Sequence, residues 1–328
     1  MRQLIETFPD QVHRACLNAE AASLLNSSTP IQNVVICGLG GSGIGGKIAS
    51  QLIQDEASVP VLACNDYALP GFVNEHTLVL ISSYSGNTEE TVSAMNEALK
   101  KKCLIACVTS GGEVSRLAEA HGLNCIEVPG GFPPRSQFGY SLVSVMRYLV
   151  HYNIVSAAWW EQMKGVSTFL QSHQHGIVEK AEALAGALIG KTPVLYAESR
   201  LEGVIIRWRQ QINENSKMLC WHHVYPEMNH NEIIGWEGGA NNLAVVVLRS
   251  GDDHPRSMIR MDITRHLFEQ QGAAVHSVED RGAGRLQRTM YFVHFGDWLS
   301  LLLAEKQGVD PVSITSIDFL KNELAKLA

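Results

Sequence analysis

Five short β-branched runs in the first half of the chain, IQNVVIC, VPVLAC, TLVLISS, CLIACVTS and LNCIEVP, alternate with longer stretches of helical apolar spacing. Runs of this length read as buried strands, and strands separated by helices pair in parallel because each helix carries the chain back across the sheet. The expected fold class is α/β, with doubly wound αβα layers around a mainly parallel sheet. An apolar helix, SLVSVMRYLVHY, closes this half. The scheme then restarts with strands TPVLYAE, NLAVVVLRS and AAVHSVE and with helices at about 201–219, 256–271 and 285–307. Two domains are therefore expected, residues 1–153 and 154–328, with SIDFLKNELAKLA as a short final helix.

A chain of 328 residues with 45% hydrophobic and 18% charged content can bury a sizeable core. Its formal net charge of -7 and lack of a dense Lys/Arg run argue against a nucleic-acid groove, which needs a basic footprint. The seven cysteines sit mainly in apolar runs and none shows C-x-x-C spacing, so reduced core thiols are expected rather than a zinc or redox site. The amino terminus has no continuous apolar stretch and no segment approaches a membrane span, which predicts a cytoplasmic protein with no membrane partner.

The segment VVICGLGGSGIGGK, residues 34–47, runs from strand through glycines into helix, so its unpaired amides and the helix dipole suit an anion. Four readings compete. Gly38, Gly40 and Gly43 fit a dinucleotide fingerprint, with Asp66 near the position of a ribose-binding acid. Gly41, Gly46 and Lys47 fit a nucleotide triphosphate loop, except that Ile48 stands where a magnesium-binding hydroxyl is needed. The glycines could instead serve only close strand-to-helix packing, or the ligand could be a smaller phosphate ester. A second strand-to-helix turn, LISSYSGNTEETV, favours the last reading, because it places Ser82, Ser83, Ser85, Asn87 and Thr88 within seven positions. Ser85 and Thr88 could merely cap the following helix. So dense a set beside a glycine turn points instead to a clamp of hydroxyls and amides for a phosphomonoester.

Together, GLGGSGIGG and SSYSGNTEET resemble the sugar isomerase (SIS) domain, a phosphosugar-binding α/β module. The later runs PPRSQFGY, INENSK and PEMNHNEIIGWE are similar to those of the bifunctional phosphoglucose/phosphomannose isomerases, which carry two such domains in one chain. The resemblance spans nearly the whole sequence. It implies aldose-ketose isomerisation of glucose 6-phosphate or mannose 6-phosphate to fructose 6-phosphate through a cis-enediol, without metal or other cofactor. It implies Glu214 as catalytic base, His230 as the group that opens the sugar ring, and Arg135 as the cation that stabilises the enediolate. It also implies Gly41, Ser42, Ser83, Ser85 and Thr88 around the phosphate, and Lys321 as a ring-opening aid, with Lys326 the alternative. The histidine comes from a neighbouring subunit in this family, which implies a homodimer with shared active sites.

The chemistry accepts these residue types. Moving a carbonyl between C1 and C2 needs one base to shuttle a proton, which a carboxylate buried on a helix can do. The competing reading of Glu214 is a solvated acid paired with Lys217. An enediolate needs a cation that keeps its charge in a water-poor site, which arginine does, although Arg135 could also be a surface residue at a helix start. Ring opening near neutral pH suits imidazole, while a lone histidine is more commonly bonded to backbone. His222, His223, Glu227, His230 and Glu232 also crowd one segment, but their spacing matches no tight metal-ligand scheme. A phosphosugar-binding sensor would need the serine loops without Glu214, Arg135 and His230 together.

Overall fold

The computed structural model describes residues 1–324 and residue 326. Helices α1 (Arg2–Glu6) and α2 (Phe8–Ala21) precede β1 (Asn33–Cys37), α3 (Gly40–Ile53), β2 (Val61–Cys64) and β3 (Thr77–Ser82). There follow α4 (Glu89–Lys100), β4 (Leu104–Thr109), α5 (Gly112–Ala120), β5 (Asn124–Glu127), α6 (Phe138–His151) and α7 (Ala158–Leu188). The second half comprises β6 (Thr192–Glu198), α8 (Glu202–Ser216), β7 (Trp221–Tyr225), α9 (Glu232–Gly235), β8 (Leu243–Arg249), α10 (Pro255–Gln270), β9 (Ala274–Glu279), α11 (Arg285–Gln307) and α12 (Thr315–Leu324).

Both sheets are parallel throughout, as the strand-helix alternation predicts. The first has strand order β2-β1-β3-β4-β5 and the second β7-β6-β8-β9. Successive strand residues face opposite sides, so β1 sends Val34 and Ile36 one way and Val35 and Cys37 the other. Val35 and Cys37 pack under α4 and α5 with Val79, Ile81 and Cys107. Val34 and Ile36 join a larger core that continues through α2, α3, α6, α7, α8 and α11 to Leu195, Val246 and Leu248 of the second sheet. One continuous apolar layer thus lies between the two sheets. A smaller cluster around Tyr196, Trp236 and Phe268 covers the far face of the second sheet.

The structure adds one strand and shortens one helix. WHHVY, not among the strands expected, forms the edge strand β7 beside β6; only Tyr225 of its residues is buried, so it carries little hydrophobic signal. Helix α8 stops at Ser216, short of the expected 219, because Lys217 turns left-handed at φ 54° and its ammonium reaches the carbonyls of Glu214 and Asp310.

Candidate active site

In the first sheet the chain leaves β1 toward β2 on one side and returns to β3 on the other, so the carboxyl ends of β1 and β3 flank a topological switch point. The two loops singled out in the sequence follow these two strands. The glycine turn after β1 enters α3 without a side-chain cap, and the Gly40 and Gly41 amides find no acceptor among the described residues. Those amides face the anion-binding position that a helix start provides. Gly43 must lack a side chain, since a Cβ there would stand 2.3 Å from the Gly38 carbonyl oxygen.

Ser42, only 8% exposed, accepts a hydrogen bond on Oγ from the Tyr84 amide at 3.1 Å, which ties the first loop to the second. In the second loop the buried Ser83 hydroxyl donates to Thr88 Oγ1 at 3.2 Å, and the exposed Ser85 Oγ accepts from the Asn87 amide at 3.2 Å. Thr88 is the residue before α4, yet no side chain caps that helix. Capping therefore does not account for these hydroxyls. A narrow crevice opens between the loops, lined by Gly41, Ser42, Tyr84, Pro134 and Gln137 among others.

Arg135 is delivered to the same place by a short turn, Pro134–Gln137, whose prolines restrict its entry. A Cβ on Gly41 would lie 3.2 Å from the Arg135 Cα, so the glycine lets the turn pack directly on the first loop. The surface reading of Arg135 fails, for the residue is 4% exposed. Its Nε donates to Asn215 Oδ1 at 2.8 Å and its Nη2 to the carbonyls of Pro311 at 2.7 Å and Val312 at 3.2 Å. Nη1 stands 3.3 Å from Glu214 Oε2. Burial lowers the guanidinium pKa from its ordinary value, and the charges of Glu214 and Asp310 oppose that shift.

Glu214 comes from the last turn of α8, on the other half of the chain. Its carboxylate pairs with Arg135 and not with Lys217, whose ammonium bonds the Glu214 backbone carbonyl at 2.8 Å instead. The expectation of a buried base needs correction, because the Glu214 side chain is 29% exposed where Arg135 is 5% exposed. The acid stands at the mouth of the site and the cation beneath it.

A polar network that the sequence reading did not assign supports this pair. Asn215 is fully buried, and its Nδ2 donates to Ser300 Oγ at 2.9 Å while its Oδ1 receives Arg135. Behind it, Arg207 and Asp297 form a buried ion pair, with Arg207 Nη2 2.8 Å from both Asp297 oxygens and 3.3 Å from the Arg135 carbonyl. Gln211 adds a third hydrogen bond to Asp297 at 2.7 Å. The only sequence signal was the spacing of Arg207, Gln211 and Asn215, which share one face of α8 at intervals of four.

The remaining site residues are not gathered here. His230 lies exposed on the turn after β7, and Lys321 lies exposed on α12; neither has a side-chain partner among the described residues. Lys326 pairs with Glu323 at 2.6 Å. The acid-and-histidine segment bonds within itself, with His223 Nδ1 2.6 Å from Glu232 Oε2 and Trp221 Nε1 donating to Glu232 at 3.2 Å. No group of three His, Cys, Asp or Glu residues among the described ones forms a metal-holding cluster. No described helix is long and apolar enough to cross a membrane.

With this geometry in place, comparison with known proteins is informative. A relative from Caldicellulosiruptor bescii, described as bifunctional phosphoglucose/phosphomannose isomerase, is 36% identical over 337 aligned positions, covering 100% of this chain and 99% of the relative. The chain belongs to the bifunctional phosphoglucose/phosphomannose isomerase family. A second family member, from Aquifex aeolicus, is 35% identical and covers 92% of each chain. The model for the bacterial phospho-glucose isomerase C-terminal SIS domain matches residues 177–324. Among solved structures, the C-terminal domain of glucosamine-fructose-6-phosphate aminotransferase from Francisella tularensis superposes with a TM-score of 0.77 at 14% identity, covering 95% of this chain and 98% of that one. A phosphosugar isomerase structure from Clostridium difficile, titled putative, superposes at 0.77 with 15% identity, covering 95% and 94%. At such identity these two establish the SIS fold alone.

Proposed function

We propose that this family member interconverts glucose 6-phosphate and mannose 6-phosphate with fructose 6-phosphate by proton transfer through a cis-enediol. The observation that carries the reading is the Arg135–Glu214 pair at 3.3 Å, set beside a crevice with two anion-binding loops. The phosphate binds to the Gly40 and Gly41 amides and to the hydroxyls of Ser42, Ser83, Ser85 and Thr88. The sugar then extends toward α8. Glu214 takes the proton from C1 or C2 and returns it to the other carbon. Arg135 beneath it holds the developing enediolate, fixed in place by Asn215 and two backbone carbonyls, so little reorganisation accompanies charge development. Both aldoses share one enediol if the intermediate rotates about C2–C3. No step needs a metal.

A coupled assay should detect conversion of fructose 6-phosphate to each aldose, with exchange of the C1 or C2 proton into solvent, and dialysis against chelator should leave both rates intact. Binding without proton exchange would make the protein a sensor, and rates lost on chelation and regained with a metal would remove the metal-free scheme.

The proposal extends to a cytoplasmic homodimer of chains dividing near residue 153, with His230 reaching the neighbouring subunit's site to open the ring and Lys321 assisting. The exposure of His230, with no side-chain partner among the described residues, supports this arrangement. Mixing Glu214→Ala with His230→Ala subunits should restore part of the activity that each lacks alone. Verified heterodimers with no recovery would place His230 outside any shared site.

A further inference from the structure

The second sheet repeats the switch-point geometry of the first. Strand β6 lies between β7 and β8, so the carboxyl ends of β6 and β8 open a crevice of their own. Strand β6 ends at Glu198, which is 7% exposed yet has no hydrogen-bond or ion-pair partner among the described residues. Its carboxylate oxygens are not among the fully buried unpartnered atoms, so they face the crevice and stay open to a donor. Glu198 lines two adjoining crevices, one narrow and one open, which share Arg200, Asp252, Asp253 and Arg285. Beside it Asp253 is also buried, with Oδ2 accepting the Ser250 amide at 2.8 Å. Enclosure, with Glu198 and Asp280 nearby, pushes the Asp253 carboxyl up to about 7.

The opposite wall has the complementary character. Helix α10 begins there, where His254 Nδ1 accepts the Arg256 amide at 3.1 Å. Its first turns carry Arg256, exposed and without a side-chain partner among the described residues, and Arg260. The exposed Arg256 guanidinium can pair a phosphate, with Arg260 beside it donating to Asn229 Oδ1 at 3.4 Å, and carboxylates accept hydrogen bonds from hydroxyls.

We propose that this crevice is a second binding site, separate from the Arg135–Glu214 centre, for a hydroxyl-bearing phosphate ester. The phosphate sits at the start of α10 with Arg256 and Arg260, and the hydroxyls reach Glu198 and Asp253. The first sheet's loops, with their serines, play no part in it. Its ligand is therefore held without the residues proposed for isomerisation.

Calorimetric titration of the full chain with sorbitol 6-phosphate, which has no carbonyl to isomerise, tests the assignment. Two binding events per chain are expected. Arg256→Glu should weaken one of them about tenfold or more, and Glu198→Gln should weaken the same one while retaining side-chain volume. Both variants should keep wild-type kcat/KM for fructose 6-phosphate and a wild-type circular dichroism spectrum. Ser83→Ala should weaken only the other event, so a failure of the active-site reading shows in that arm alone. The second site is overturned if neither Arg256→Glu nor Glu198→Gln changes any binding event, or if Ser83→Ala removes all binding.

Discussion

Glu214→Gln is expected to lower kcat for fructose 6-phosphate by about 10²–10⁴-fold, with KM close to wild type. The substitution keeps the shape of the side chain and its proximity to Arg135 but removes the only carboxylate among the described residues that pairs with that guanidinium. With the substrate phosphate held, as proposed, by the loops after β1 and β3, which the change does not touch, the loss should fall on the proton-transfer step. Solvent exchange of the C1 and C2 protons should fall in parallel, because one base serves both carbons. Retention of kcat within about tenfold would assign the base elsewhere. Comparing both aldoses makes the test stricter: equal losses are expected for glucose 6-phosphate and mannose 6-phosphate if a single enediol serves both.

Asp297→Ala should cost about 3–5 kcal/mol of stability and lower the melting temperature by about 5–15 °C. Asp297 is 3% exposed and balances Arg207, which is 2% exposed and lies 4.3 Å over the Phe138 ring. Truncating the acid leaves an uncompensated guanidinium in the core and strips Gln211 of its acceptor. The double change Arg207→Met with Asp297→Leu should recover most of that stability, since removing both charges eliminates the desolvation problem. It should not recover full activity, because Arg207 also donates to the Arg135 carbonyl. Thermal and urea unfolding of the two variants, set beside their rates, separate the two roles. A single variant as stable as wild type would show that water reaches the pair.

The two loops proposed to hold the phosphate were legible in the sequence because each is local. Gly41 and Ser42 follow one strand and Ser83, Ser85 and Thr88 another, and in a parallel sheet both strands must end on the same edge. The catalytic end was not legible from spacing. Arg135 and Glu214 lie 79 positions apart in different halves, and nothing in either segment predicts their contact. Their roles came through resemblance. The sequence likewise placed Asn215 beside the acid, but only the fold discloses that it grips Arg135 from one side and Ser300 from the other.

Periodicity determined the parallel α/β class and the bounds of α11, 285–307, since a helix apolar along its length leaves little choice of state. It missed β7, an edge strand with one buried residue, because edge strands need pairing partners more than apolar side chains. Tertiary structure alone decided that Glu214 pairs with Arg135 and not Lys217, that the helix α8 ends where the lysine turns back, and that one core joins both sheets. The physical reason is the same in each case. Local sequence fixes backbone preference and which face is apolar, whereas charge partners and burial depend on what distant segments the packing brings alongside.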